Sequence, residues 1–147
     1  VIAFEDIGLA NPAAAQRTVA AVETAEKLGL PEARIPLAFA TVELALSPKS
    51  NTSYRAINTA MADIQAGHYG PVPEHLRDAS YQGAKKLGRG IDYKYPHDYP
   101  GHYVDQQYLP DALKDKQYFK ADPTANYEAA LLKIYQNIQQ KQAKDQT

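Results

Sequence analysis

The segment YKYPHDYPGHYVDQQYLPD, residues 93–111, concentrates the side chains that do chemistry. It holds five tyrosines (Tyr93, Tyr95, Tyr99, Tyr103 and Tyr108), together with His97, His102, Asp98, Asp105 and Asp111. Metal ligation, acid–base catalysis and base stacking all draw on such residues. A metal needs ligands at a workable spacing, and a His-Asp pair with a second His five positions on from the first matches no His-Glu-x-x-His or related pattern. Pro100–Gly101 reads as a turn. A hydrogen bond between a His and an Asp that fixes the loop is the simpler expectation for His97 and Asp98. Catalysis by paired carboxylates or a Ser–His–Asp set needs a geometry that spacing does not supply. Ser47, Ser50 and Ser53 are explained as helix-end residues.

Base stacking has more support. Lys85, Lys86, Arg89 and Lys94 lie beside Tyr93 and Tyr95, the mixture of rings and cations that single-stranded nucleic acid requires. Asp92, Asp98 and Asp105 cancel much of that charge, and phosphate neutralisation carries most non-specific affinity. The structural alternative is a belt. Pro96 and Pro100 bias Tyr95 and Tyr99 toward extended backbone, and each ring buries about 150–250 Å² when packed. A long stretch without regular structure is uncommon in a small domain unless functional or disordered, and its aromatic content opposes disorder. The expectation is a buried belt laid across helices, which also suits an interface.

The remaining phosphate-type motif is GAKKLGRG, Gly83–Gly90. Its glycine spacing is that of a phosphate-binding loop, but Arg89 and Gly90 stand where Lys and Ser/Thr belong. Nor does a strand precede it, so a short helix over 80–87 with Gly88 as its stop is the better reading.

The elements that position these residues are helical. Asn11 is an N-cap, Pro12 fits the first helical position and Gly29 a C-terminal stop, giving a helix over 11–28 with Ala15, Val19, Val22, Ala25 and Leu28 on one face. A second helix covers 32–47, with Ile35, Phe39, Val42 and Leu46 in one stripe. It is apolar nearly all round, so it is expected to be central and buried. Pro36 requires either a start near Arg34 or a kinked first turn. Pro48 ends it, and Ser50 or Asn51 caps a third helix to about Ala66, with Tyr54, Ile57, Met61 and Ile64 inward. So short a link predicts an antiparallel hairpin between the second and third helices. A last helix runs from about Thr124 to Ala143, with Tyr127, Leu131, Ile134, Tyr135 and Ile138 inward. The fold class is therefore all-α: about five helices and a long tyrosine-rich irregular segment, taken as one domain over 1–147.

Composition excludes several functions. There is no Cys, so thiol catalysis, Zn–thiolate sites and disulfides are out. A net charge of −1 gives no overall nucleic-acid footprint. No apolar run is long enough to span a membrane, and the given residues show no basic-then-apolar signal-peptide pattern. The chain opens on VIAFEDIG, which reads as a piece of a longer protein.

Three stretches resemble a known family: EDIGLANP (Glu5–Pro12), PEARIPLAFATVELALSPKSNTSY (Pro31–Tyr54) and YKYPHDYPGHYVDQQYLPD (Tyr93–Asp111). Together they are similar to the C-terminal region of the replication-associated recombination protein A (RarA, or MgsA) family of AAA+ ATPases. That family is itself similar to Werner helicase-interacting protein and related to clamp loaders. Phe4 departs from the small residue usual before the first stretch. The resemblance implies an upstream ATPase domain that carries the ATP- and Mg-binding residues, with no cofactor and no enzymatic activity in this region. It also implies a homotetramer formed through these helices, action at stalled or damaged forks with DNA and single-stranded DNA-binding protein as partners, and a cytoplasmic, nucleoid-associated location. Small residues at Ala13–Ala15, Ala20 and Ala21 would then allow close helix contact between subunits. Tyr93, Tyr95, His97, Asp98, Tyr99, Tyr103 and Tyr108 form the candidate belt. Lys85, Lys86, Arg89 and Lys94 are the candidate nucleic-acid contacts.

Overall fold

The computed structural model describes residues 1–77 and 90–145, with side chains through residue 140. Every regular element among the described residues is helical, as the sequence predicts. A π-helical turn, Ala3–Ile7, precedes four α-helices: α1 Pro12–Leu28, α2 Arg34–Leu46, α3 Thr52–Gln65 and α4 Asn126–Asp145. Between α3 and α4 run single 3₁₀ turns at Glu74–Leu76, Pro96–Asp98, Pro100–His102 and Asp111–Leu113. The helix expected over 80–87 lies outside the described residues. The chain forms two compact units: Val1–Ala60 with Tyr118–Tyr135, and Met61–Gln117 with Gln136–Thr147.

In the first unit, local signals set the helix ends. Asn11 Oδ1 accepts from the Ala14 amide at 3.2 Å, which satisfies one of the donors that a helix start leaves open. Gly29 takes φ 70° and its N–H closes on Ala25 O at 3.0 Å. α2 begins at Arg34, so Pro36 sits in its first turn, where its missing N–H has no intrahelical acceptor to lose.

α1 and α2 form an antiparallel pair. Asn11 Nδ2 donates to Ser47 Oγ at 3.0 Å, Arg17 pairs with Glu43, and Leu28 and Ile35 line one groove further along. The hairpin expected between α2 and α3 is absent, since α2 packs against α1 and not along α3. The link explains why. Ser47 is extended (ψ 146°) and is gripped by Asn11, and the Ser50 amide donates to Asp6 O at 2.8 Å. These bonds lead the chain past the π-helical turn rather than back along α2.

The burial expected for α2 is also corrected. Ala40 is its only buried residue, while Ile35, Leu37, Phe39, Val42 and Leu46 are exposed. On α1 the buried residues are Ala14, Ala15, Ala21 and Ala25, while Val19, Val22 and Leu28 are exposed. Alanine lets two helix backbones approach closely and leaves no room between them for Phe or Leu. The large side chains are therefore turned outward. Tyr54, Ile57, Met61 and Ile64 of α3 are exposed as well, as are Tyr127, Ile134 and Tyr135 of α4; Leu131 and Ile138 are half-buried.

The first unit has a polar centre. Glu128, in the first turn of α4, is 0% exposed. It accepts from Thr52 Oγ1 at 3.0 Å and from the Asp122 amide at 2.7 Å. Ser50 Oγ lies 3.0 Å from Thr52 Oγ1 and accepts from the Thr52 amide at 3.3 Å. Because Thr52 Oγ1 donates to the carboxylate, Ser50 Oγ must donate to Thr52 Oγ1. The network thus has one direction: Thr52 amide, Ser50 hydroxyl, Thr52 hydroxyl, Glu128. It ties the start of α3 to the start of α4. Gly8 closes the other side. It takes φ 47°, and a Cβ there would meet Ser50 O at 2.5 Å, so both the backbone conformation and the space require glycine.

Glu128→Ala strands the Asp122 amide and breaks the hydroxyl relay. Each buried group left unpaired costs about 1–3 kcal/mol, so chemical denaturation should show a loss of about 2–4 kcal/mol. Glu128→Gln keeps an acceptor for the amide and offers Thr52 a donor, and should cost less than about 1 kcal/mol. Equal losses for the two variants would contradict this network.

Candidate functional site

In the second unit the tyrosine segment is an anchored loop. The Gln106 side chain clamps its two ends. Gln106 Oε1 accepts from the Lys94 amide at 3.3 Å, and Gln106 Nε2 donates to Lys94 O at 2.9 Å. A carboxamide thus imitates the paired bonds of a strand, and residues 95–105 loop out between. Lys94 Nζ adds a bond to Asp105 O at 3.3 Å. Gln107 secures the C-terminal side, donating to Leu109 O and Asp111 Oδ1, each at 2.8 Å. His75 Nε2 donates to Gln107 O at 2.8 Å. Val104 and Leu113 are buried beneath.

The rings do not form the buried belt that the sequence predicts. Tyr93, Tyr95, Tyr99 and Tyr108 are exposed, Tyr95 at 53% and Tyr108 at 55%; Tyr103 is half-buried. The loop is held mainly from its backbone by amide and carbonyl groups, and Gln106 Nε2 also donates to the Tyr108 hydroxyl at 3.1 Å. Pro96 and Pro100 begin 3₁₀ turns, with Tyr95 and Tyr99 extended just before them. His102 has φ 54°, following Gly101 at φ 70°.

The structure brings Tyr95, His97 and His102 together. Ring centroids are 5.0 Å apart for Tyr95–His97 and 5.0 Å for His97–His102, tilted by 50° and 53°. His97 therefore makes ring contacts rather than the expected bond to an Asp. The His–Asp pair that does form is His68–Asp63 at 3.3 Å, outside the segment. Asp98 is exposed. Among the described residues no group of three His, Asp or Glu is placed to hold a metal. Lys85, Lys86 and Arg89 lie outside the described residues, so of the expected cations only Lys94 can be placed.

The first unit carries a feature that the sequence reading missed. An open apolar groove of about 530 Å³ runs along α1 and α2, lined by Ala20, Thr24, Leu28, Ile35, Pro36 and Phe39. Phe39 is 56% exposed and Val42 59%. Arg17 borders the groove, and its Nε donates to the two Glu43 oxygens at 2.7 and 2.9 Å. The bond from Arg17 lowers the Glu43 pKa, and the same bond raises that of Arg17. Since the folded-state value of Glu43 is depressed, its stabilising contribution is present above the ordinary carboxylate range and is lost as pH falls through the lowered value. The pair leaves this face without an uncompensated charge. The signal was in the sequence, since an apolar helix with one internal acid wants cover. It does not say whether the cover comes from its own chain.

The chain matches the family described as MgsA AAA+ ATPase C terminal over residues 1–139. The chain belongs to this family. It is 58% identical over 141 residues to replication-associated recombination protein A of Bacillus subtilis, covering 96% of this chain and 34% of that protein. The protein of the same name from Escherichia coli K12 is 37% identical over 119 residues, covering 80% and 27%. The ATPase WRNIP1 of Dictyostelium discoideum is 33% identical over 120 residues, covering 81% and 14%. The chain therefore spans about a third or less of these relatives. No helix among the described residues is long and apolar enough to cross a membrane.

For this MgsA-type domain, exposed rings and an anchored backbone separate two effects. Tyr95→Ala should change stability by less than about 0.5 kcal/mol, as surface substitutions do. Gln106→Ala, which removes the clamp, should cost about 1 kcal/mol or more. Denaturation midpoints compare them, and a loss of several kcal/mol for Tyr95→Ala would restore the buried belt.

Proposed function

We propose that this chain is the oligomerisation and scaffold domain of an AAA+ ATPase acting in DNA replication, recombination and repair at stalled forks. Its helices hold four ATPase subunits in a fixed arrangement. In this reading the chain catalyses nothing itself. ATP and Mg are bound by the ATPase part of the parent, and DNA and single-stranded DNA-binding protein are met by the assembled, cytoplasmic, nucleoid-associated protein.

The observation that carries the reading is the α2 face. Ile35, Phe39, Val42 and Leu46 stand in water on a helix whose only buried side chain is Ala40. A contiguous apolar surface of this kind marks an interaction site. Its only acid is already paired with Arg17, so two copies of the face meet without like-charge repulsion. Of the alanines expected to serve contact between subunits, Ala14, Ala15 and Ala21 are buried within the chain, while Ala13 and Ala20 are exposed and Ala20 lines the groove. The contact surface in this reading is chiefly the large side chains.

A second reading rests on a separate observation. The exposed Tyr93 and Tyr95 flank Lys94 in the chain, and Tyr99 is exposed in the same loop, which suits stacking of single-stranded bases. Tyr95→Ala with Lys94→Ala then weakens single-strand binding at unchanged stability; unchanged binding removes this reading.

For the scaffold, light scattering at micromolar concentration should give four times the chain mass of 16.2 kDa, and Phe39→Asp should reduce it to two chains or fewer, since a self-paired face joins chains in pairs. A wild-type chain that stays at the single-chain mass contradicts the proposal.

A further inference from the structure

An open cleft of about 550 Å³ in the first unit is lined by Asp6, the Lys49–Thr52 link, Arg55 and the Lys120–Pro123 link. Lys49, Arg55 and Lys120 reach it from three parts of the chain. All three are exposed, and none makes an ion pair among the described residues. The Glu128 network fixes this convergence from below, because it joins Thr52 on one wall to Asp122 on the other. Two carboxylates share the lining. Asp122 Oδ1 is occupied, accepting from Thr124 Oγ1 at 2.7 Å and the Thr124 amide at 2.9 Å. Those bonds lower its pKa and keep it ionised. Asp6 is exposed. Cations outnumber acids by three to two, and the lining has no aromatic ring.

We propose that this cleft binds the phosphodiester backbone of a nucleic-acid strand through Lys49, Arg55 and Lys120. Its chemistry selects phosphate: three cations that form no ion pair with the two lining carboxylates, and no aromatic ring on which a base stacks. The cleft is open rather than a closed pocket, which suits a passing strand more than one enclosed free anion. The site is distinct from the tyrosine segment and does not depend on association through α2.

The test is fluorescence anisotropy of a labelled oligothymidylate 20-mer with this chain between 50 and 200 mM NaCl. The variant Lys49→Gln/Arg55→Gln/Lys120→Gln should bind at least about 10-fold more weakly at the lowest salt. The slope of log K against log salt should be shallower by about two, since each phosphate contact to a single strand contributes about 0.7. Wild-type affinity and slope in this variant overturn the proposal. If the triple variant does not fold, Lys120→Glu alone must lower affinity, and an unchanged affinity again overturns it. Inorganic phosphate separates the two sources of the group. Amide shifts at Asn51 and Thr52 with oligothymidylate, but not with millimolar phosphate, support a strand. Saturation by phosphate alone, with no further effect of the oligonucleotide, overturns it in favour of a free-anion site.

Discussion

The buried carboxylate of Glu128 is the constraint on which the first unit depends. A fully buried carboxylate is costly unless its oxygens are satisfied, and here two oxygens take two donors from separate parts of the chain. Fixing Glu128 fixes Thr52, and with it the start of α3. Ser50, drawn into the same network, binds Asp6 O through its amide, and its carbonyl approaches Gly8 so closely that no side chain fits there. Asn11 continues the spine by capping α1 and holding Ser47. The unit is thus aligned by directed polar bonds between helix ends.

That alignment has a consequence for the helices. Polar bonds at the ends and alanine between α1 and α2 bring the backbones close, so the large apolar residues face outward. A chain that buries Ala40 and exposes Phe39 and Val42 has its main hydrophobic driving force still unspent. In the proposed scaffold, association would supply that cover, so the proposal draws on packing as well as on family membership. The tyrosine loop obeys the same logic: Gln106 and Gln107 anchor it chiefly through the backbone, and the rings of Tyr93, Tyr95 and Tyr99 stay exposed.

What was legible in the sequence was local. Asn11, Pro12, Gly29 and Pro48 marked helix ends because capping and stopping depend on neighbours one to four residues away. Pro36 left two readings, a start near Arg34 or a kinked first turn, and the helix starts at Arg34; the all-α class followed from periodicity. The misreadings were long-range. The stripe through Ile35, Phe39, Val42 and Leu46 showed that α2 needs cover but not from which chain. Glu128 looked like any acid in a first helical turn, since its partner Thr52 is 76 residues away. The tyrosines looked like core because ring chemistry fits burial, while the glutamines that anchor the loop carry no such signal. Two of the three stretches that resemble the family meet in the first unit: EDIGLANP supplies Asp6, Gly8 and Asn11, and the second stretch supplies the Ser47 and Ser50 that they hold.

The central claim is that a second copy of the chain covers the α2 face, and a single thiol tests it directly because the chain has no cysteine. Val42→Cys should react with a maleimide at the rate of a free thiol when the chain is diluted to nanomolar concentration. At micromolar concentration it should be slowed at least about 10-fold, while Glu26→Cys, on exposed α1 surface, reacts equally fast at both. Full reactivity of Val42→Cys at every concentration would contradict the account.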